Sequence, residues 1–242
     1  MKNKKKESFF ETIKTIISAV ILALIIRTFA FEPFNIPSGS MLPTLLVGDY
    51  LFVSKYSYGY SKHSFPLSFL PISGRYFFSE PKRGDVAVFK LPSDNKTDYI
   101  KRIIGLPGDK IQLQNGRLLI NEKIVSRERV EDFIDDKSYG IRTKQYIELL
   151  PNNYNHNIIE FSDNNLFDNT REYIVPKEHF FMMGDNRDNS EDSRSQVGFV
   201  PKENLVGRAE ILFFSTNGNA SIFEFWKWHK AIRFDRIFDN IE

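Results

Sequence analysis

The chain has no cysteine, which excludes thiol catalysis, disulfide bridges and zinc–thiolate sites and leaves the fold to hold by packing. It has almost no net charge, 33 Lys and Arg against 31 Asp and Glu, so it lacks the concentrated basic face that a nucleic-acid binder needs. Long apolar runs are also scarce, with one membrane-like segment near the start and no long amphipathic helix after residue 54. No repeat shows in the polar stretch 126–172. What remains is a chain of 242 residues, ample for a sizeable core, as one compact unit with an insertion or as two small domains.

The membrane-like segment follows Lys2, Lys4, Lys5 and Lys6 and has an uncharged run from Thr15 to Ile26. Twelve helical residues rise only about 18 Å, less than a hydrocarbon core. Spanning therefore requires Ile13 to Phe34, with Lys14 and Arg27 snorkelling to the two surfaces. A cleaved signal peptide has the same basic start and a similar apolar length, with Thr28-Phe29-Ala30 as a poor cleavage site.

Directly after it comes Phe34-Asn35-Ile36-Pro37-Ser38-Gly39-Ser40-Met41-Leu42-Pro43-Thr44. Pro37 and Gly39 fix a bend and place the Ser40 hydroxyl among apolar neighbours; the stretch reads as a nucleophile or as an ordinary Ser-rich turn. A second stretch, Asp98-Tyr99-Ile100-Lys101-Arg102-Ile103-Ile104 closed by Gly105-Leu106-Pro107-Gly108-Asp109, is a short apolar strand with two cations inside it. Alternation puts Lys101 on a face with Tyr99 and Ile103, where desolvation would free a neutral amine to act as a base. Arg102 is flanked in the same way by Ile100 and Ile104, and both cations also suit a protected strand edge. Chemistry favours Lys101, since a guanidinium is not deprotonated in proteins.

Four stretches together, Ser38 to Thr44, Lys82 to Lys90, Tyr99 to Asp109 and Gly184 to Arg194, resemble the bacterial type I signal peptidases, in the family's order. The resemblance runs from about residue 13 to about residue 214 and is weakest between 122 and 172. It implies a mainly β fold: an antiparallel catalytic core with a smaller inserted β lobe, preceded by one uncleaved transmembrane helix. It also implies a Ser/Lys endopeptidase that removes signal peptides from exported preproteins, needs no cofactor, and selects small residues one and three positions before the cut. Ser40 is then the nucleophile and Lys101 the general base. The Ser38 hydroxyl and the Ser40 N–H hold the oxyanion, Ser190 hydrogen-bonds the lysine, and Asp192 and Arg194 form a supporting ion pair. The expected partners are preprotein signal peptides and the bilayer, with no nucleic acid and no metal. The basic start keeps the N-terminus cytoplasmic and puts the catalytic part on the outer, periplasmic side of the plasma membrane. Ser195-Gln196-Val197 departs from the aromatic connection of many relatives. Two other readings are a non-catalytic tethered β-domain that binds exported chains, and a Ser/Lys protease related to self-cleaving repressors. The latter lack an anchor and carry a DNA-binding helix-turn-helix that this chain does not show.

The expected organisation is an anchor at 1–34, catalytic core at 35–109 with an aromatic ribbon at 56–78, an inserted lobe at 110–172, core again at 173–214, and an aromatic and basic tail at 215–242. Leu45 to Ser54, Val86 to Phe89, Phe180 to Met183 and Val206 to Phe214 read as core strands, and Asn115-Gly116 as a hairpin turn that pairs Leu113 with Leu118 and Ile111 with Ile120. His156 reads as a loop residue. A calcium loop starting at Asp188 fails, because Ser193 stands at the required Gly and Phe199 at the terminal Glu. Phe34, Ile36, Met41, Tyr99 and Met182 are the expected walls of an apolar, shallow substrate groove.

Overall fold

The computed structural model describes residues 2–65, 73–135, 141–221 and 223–241; the ribbon residues 66–72 lie outside it. The opening helix runs Lys2–Phe29, and its Phe9–Phe29 portion, 21 residues, is long and apolar enough to cross a membrane. At 1.5 Å per residue that is about 30 Å, one hydrocarbon core. The helix stops short of the expected Phe34, because Phe31–Asn35 is already a strand paired with Asp49–Ser54. Pro33 is tolerated there because this is an edge strand that needs no N–H on its outer side. At the foot of the helix Tyr60 donates to the Phe29 carbonyl at 2.6 Å, and Lys55 and Arg27 both ion-pair with Glu32.

The main sheet has seven strands in the order Phe31–Asn35, Asp49–Ser54, Leu205–Ser215, Val86–Lys90, Asp98–Gly105, His179–Met183, Val200–Pro201, with every pairing antiparallel. The strand expected from Leu45 begins only at Asp49. Before it Gly48 turns with φ +94°, and a side chain there would strike the Thr216 carbonyl. Ile36, Met41, Leu45, Leu51, Val53 and Leu212 form one apolar cluster, and Ala87, Phe89, Ile103, Phe180 and Met182 contribute to another.

The polar middle of the chain adds two smaller sheets. In one, Arg142–Leu149 pairs with Asn155–Glu160, Ser126–Arg129 and Phe133–Ile134. In the other, the hairpin Lys110–Gln114/Arg117–Ile120 has the expected register, Leu113 opposite Leu118 and Ile111 opposite Ile120. Asn115 and Gly116 both have positive φ, as a tight two-residue hairpin turn demands. Tyr173–Ile174 joins this second sheet, so its pairing extends past residue 172. The described residues of the tail hold three short helical turns, Phe225–Lys227, Trp228–Ala231 and Phe234–Arg236, and leave Phe223, Phe225, Trp226, Phe234 and Phe238 exposed.

Candidate active site

Ser40 sits in a one-turn 3-10 helix, Gly39–Met41, whose backbone is fixed from below by Ile36, Met41 and Leu45 in the core. Lys101 projects from the middle of Asp98–Gly105, opposite Ala87. Both side chains are buried, and the lysine Nζ lies 2.7 Å from the Ser40 Oγ and 2.9 Å from the Ile100 carbonyl. The Tyr99 ring stands 5.4 Å from the same nitrogen. Burial lowers the Lys101 pKa to about 8 against the opposing pull of Asp192, Asp185 and Glu191.

The neighbouring cation has a separate task on the opposite face. Arg102 is fully buried and grips Asp185 with both arms, Nε to Oδ1 at 2.9 Å and NH2 to Oδ2 at 2.8 Å. Its NH1 donates to the Gly84 carbonyl. Burial alone would raise the Asp185 pKa, but Arg102 and His156 outweigh it and hold the carboxyl well below the usual range. Asp185 also accepts the Thr44 hydroxyl at 2.6 Å. The next residue, Asn186, donates its side-chain amide to the Gly39 carbonyl at 2.9 Å and its N–H to the Ser40 carbonyl at 3.2 Å. The loop 184–194 therefore holds the Ser40 peptide directly. It reaches that close because of Gly184, where an added Cβ would lie 2.4 Å from the Ser40 carbonyl oxygen and 2.2 Å from the Ser190 Oγ.

Asp192 and Arg194 form a buried ion pair at 2.8 Å. Asp192 also accepts the Gly184 N–H, and Arg194 donates to the Arg187 carbonyl, so the pair closes the loop on itself. Ser190 is buried against Gly184, but it makes no hydrogen bond to Lys101, whose hydrogen bonds go to Ser40 and the Ile100 carbonyl. Ser38 lies exposed at the lip of the cleft in extended conformation.

A cleft of about 500 Å³ opens in front of Ser40, between the segment Phe34–Ser40 and the strand residues Asp98–Lys101, with Val88, Asn189 and Glu191 completing it. Of the residues named as groove walls, Phe34, Ile36 and Tyr99 line it. Met41 and Met182 do not: both are fully buried in the core clusters, because Met41 points down from the 3-10 turn and Met182 belongs to a strand covered on both faces.

Sequence reasoning missed the polar scaffold behind the site. His156 is no loop residue; it lies in the strand Asn155–Glu160, buried, with Nε2 3.2 Å from Glu148 and Nδ1 3.4 Å from Asp185. Arg187 binds the same Glu148 through both NH groups. This chain of charges ties the inserted strands to the loop that holds Ser40. Where the inserted region meets the loop 184–194, Glu160 and Asp168 of the former and Asp188 of the latter bring carboxylate oxygens within 4.8 Å of one another, with Arg127 ion-paired to Glu160.

Comparison with known proteins gives the family. Residues 9–214 match the family described as "Signal peptidase, peptidase S26". Signal peptidase I of Rickettsia typhi is 41% identical over 239 residues, covering 92% of this chain and 90% of that protein. The Rickettsia prowazekii enzyme of the same name is 41% identical over 241 residues, with 92% and 90% covered. A crystal structure of a signal peptidase I from Enterococcus faecalis is 27% identical and covers 54% of this chain and 97% of that one, with a TM-score of 0.33. By a match over most of its length and by relatives this similar, the chain belongs to the signal peptidase family, peptidase S26.

Proposed function

We propose that this chain is a membrane-anchored serine endopeptidase that removes N-terminal signal peptides from exported preproteins, with Ser40 as nucleophile and Lys101 as general base. The observation that carries this reading is the 2.7 Å contact between a buried lysine nitrogen and a serine hydroxyl at the floor of an open cleft. A neutral Lys101 takes the Ser40 proton as Oγ attacks the scissile carbonyl. The resulting oxyanion lies against the Ser40 N–H and the Ser38 hydroxyl. The lysine then returns the proton to the leaving amine as the C–N bond breaks, leaving the signal peptide esterified to Ser40. Water, deprotonated by the same amine, releases it and restores the serine. Asp192, Arg194, Asn186 and Asp185 keep the serine peptide in place throughout.

The strand Asp98–Gly105 pairs with Val86–Lys90 along one edge, while on the other His179–Met183 engages only Arg102, Ile103 and Gly105. The edge of residues 98–101 facing the cleft is thus available for an extended substrate to add as a strand. In that pose the side chains one and three before the cut point into the cleft and the one between points away. Phe34, Ile36 and Tyr99 leave those two inward positions little room. The lysine-rich start holds the N-terminus in the cytoplasm, so the helix delivers Ser40 to the outer face, where signal peptides emerge.

The test is a preprotein series with Ala, Val, Phe or Lys at each of the three positions before the cut, incubated with detergent-solubilised enzyme. Cleavage at a single junction is expected. Phe one position before the cut should slow it by about 5-fold to 150-fold relative to Ala, since overpacking costs about 1–3 kcal/mol, and the middle position should tolerate all four. Binding without cleavage would instead favour the non-catalytic module, and equal rates for Ala and Phe would favour a general protease.

A further inference from the structure

Beyond residue 214, where the family match stops, the chain turns back along the strand Leu205–Ser215. The Arg233 N–H donates to the Ser215 carbonyl, Phe238 to Leu212 and Ile241 to Glu210, and Leu212 donates in return to Asp239. This return covers the strand edge that Val86–Lys90, paired only with Leu205 to Arg208, leaves open.

Two arginines on the returning segment reach through to the loop that follows Ser40. Arg236 NH2 lies 2.7 Å from the Asp49 Oδ2 and 3.0 Å from the Thr44 carbonyl, with Nε 3.3 Å from Oδ1. Arg233 NH1 is 3.7 Å from the same carboxylate and donates to the Val47 carbonyl and the Ser215 hydroxyl. Asp49 is fully buried and also accepts the Leu46 N–H and the Ser215 hydroxyl. Thr44 is therefore held twice: its hydroxyl by Asp185 on the side of the loop 184–194, its carbonyl by Arg236 on the side of the tail.

We infer that Arg236, assisted by Arg233, is a positioning residue for catalysis, and that the C-terminal return is a working part of the active site rather than an appendage. The inference rests on Ser40 being the nucleophile. Ser40 is followed within one short loop by Thr44 and Val47, so the register of its Oγ against the Lys101 Nζ depends on that loop being fixed at both ends. A reacting atom displaced by about 1 Å can lose about 10²-fold in rate. Arginine suits the task because its fork reaches a carboxylate and a carbonyl together, which a lysine point charge does not.

The test uses the full chain in detergent with a preprotein substrate, comparing wild type, Arg236→Gln, Arg236→Lys and Ser40→Ala by kcat, KM and thermal midpoint. Arg236→Gln is expected to lower kcat by about tenfold or more with KM nearly unchanged, measured well below its midpoint. Arg236→Lys should fall between the two, and it serves as the deciding variant if Arg236→Gln folds poorly. Wild-type kcat in the folded variants, or a loss that only tracks the folded fraction, overturns the inference. Ser40→Ala separates the two claims: an active Ser40→Ala overturns the nucleophile and this role together, whereas an inert Ser40→Ala beside a fully active Arg236→Gln overturns this role alone.

Discussion

Replacing Lys101 by methionine is expected to abolish cleavage while making the folded protein more stable at neutral pH. The first effect should be at least about 10⁴-fold, since removing one member of a nucleophile–base unit costs nearly as much as removing all of it. The second follows from burial. Lys101 titrates at about 8 in the folded chain against an ordinary 10.5, so between those values the unfolded chain carries the extra proton and stability rises with pH. Below pH 8 the whole penalty is present, on the order of 3 kcal/mol at about 1.4 kcal/mol per pH unit. Methionine has similar length and no charge to bury. Its advantage in chemical denaturation should be clear at pH 7 and gone by about pH 10.5. A Lys101→Met enzyme that cleaves normally, or one less stable than wild type at pH 7, would contradict the assignment of a neutral, desolvated base.

The second large effect belongs to Arg102. Arg102→Met leaves the buried Asp185 carboxylate without its bidentate partner, a type of loss that costs about 3–5 kcal/mol. It also frees the loop whose Asn186 pins the Gly39 and Ser40 carbonyls, so activity should fall even at temperatures where the variant is folded. The double variant Arg102→Met/Asp185→Leu removes both charges and should recover much of the stability, but not the activity, because the Thr44 hydroxyl loses its acceptor as well. Denaturation midpoints for the two variants decide this. A loss below about 1 kcal/mol in Arg102→Met would mean that the pair does not hold the loop in place.

How much of this was legible depended on how local each signal is. The Asn115-Gly116 turn fixed its own register, because two residues of positive φ permit only one close pairing. Ser40 stood out as a hydroxyl between two prolines after the apolar N-terminal segment. Lys101 and Arg102 could not be separated by alternation, and in the structure both are buried on opposite faces, Lys101 against Ser40 and Arg102 against Asp185. Only the chemistry of deprotonation chose between them. Met41 and Met182 were misplaced as groove walls because adjacency in sequence says nothing about which face a side chain takes when both faces are covered. The span was set to end too late because Phe29, Ala30, Phe31 and Phe34 prolong the apolar character around Glu32, while strand pairing across to Asp49–Ser54 claims the chain from Phe31 onward. His156 was unreadable for a deeper reason: its partners Glu148 and Asp185 come from a neighbouring strand and a distant loop, and a lone imidazole in an Asn-rich stretch carries no local mark of either. The Asp49–Arg236 contact spans most of the chain and was invisible for the same reason.

The claim that a neutral Lys101 activates Ser40 is tested most directly by the pH dependence of preprotein cleavage, measured as kcat/KM on detergent-solubilised enzyme from about pH 5 to about pH 10. With the lysine titrating at about 8, the active form is the deprotonated one. The rate should rise about tenfold per pH unit on the acid side, bend near pH 8 and level above it. A rate that stays flat down to pH of about 5, where this amine would be almost wholly protonated, would contradict Lys101 as the base.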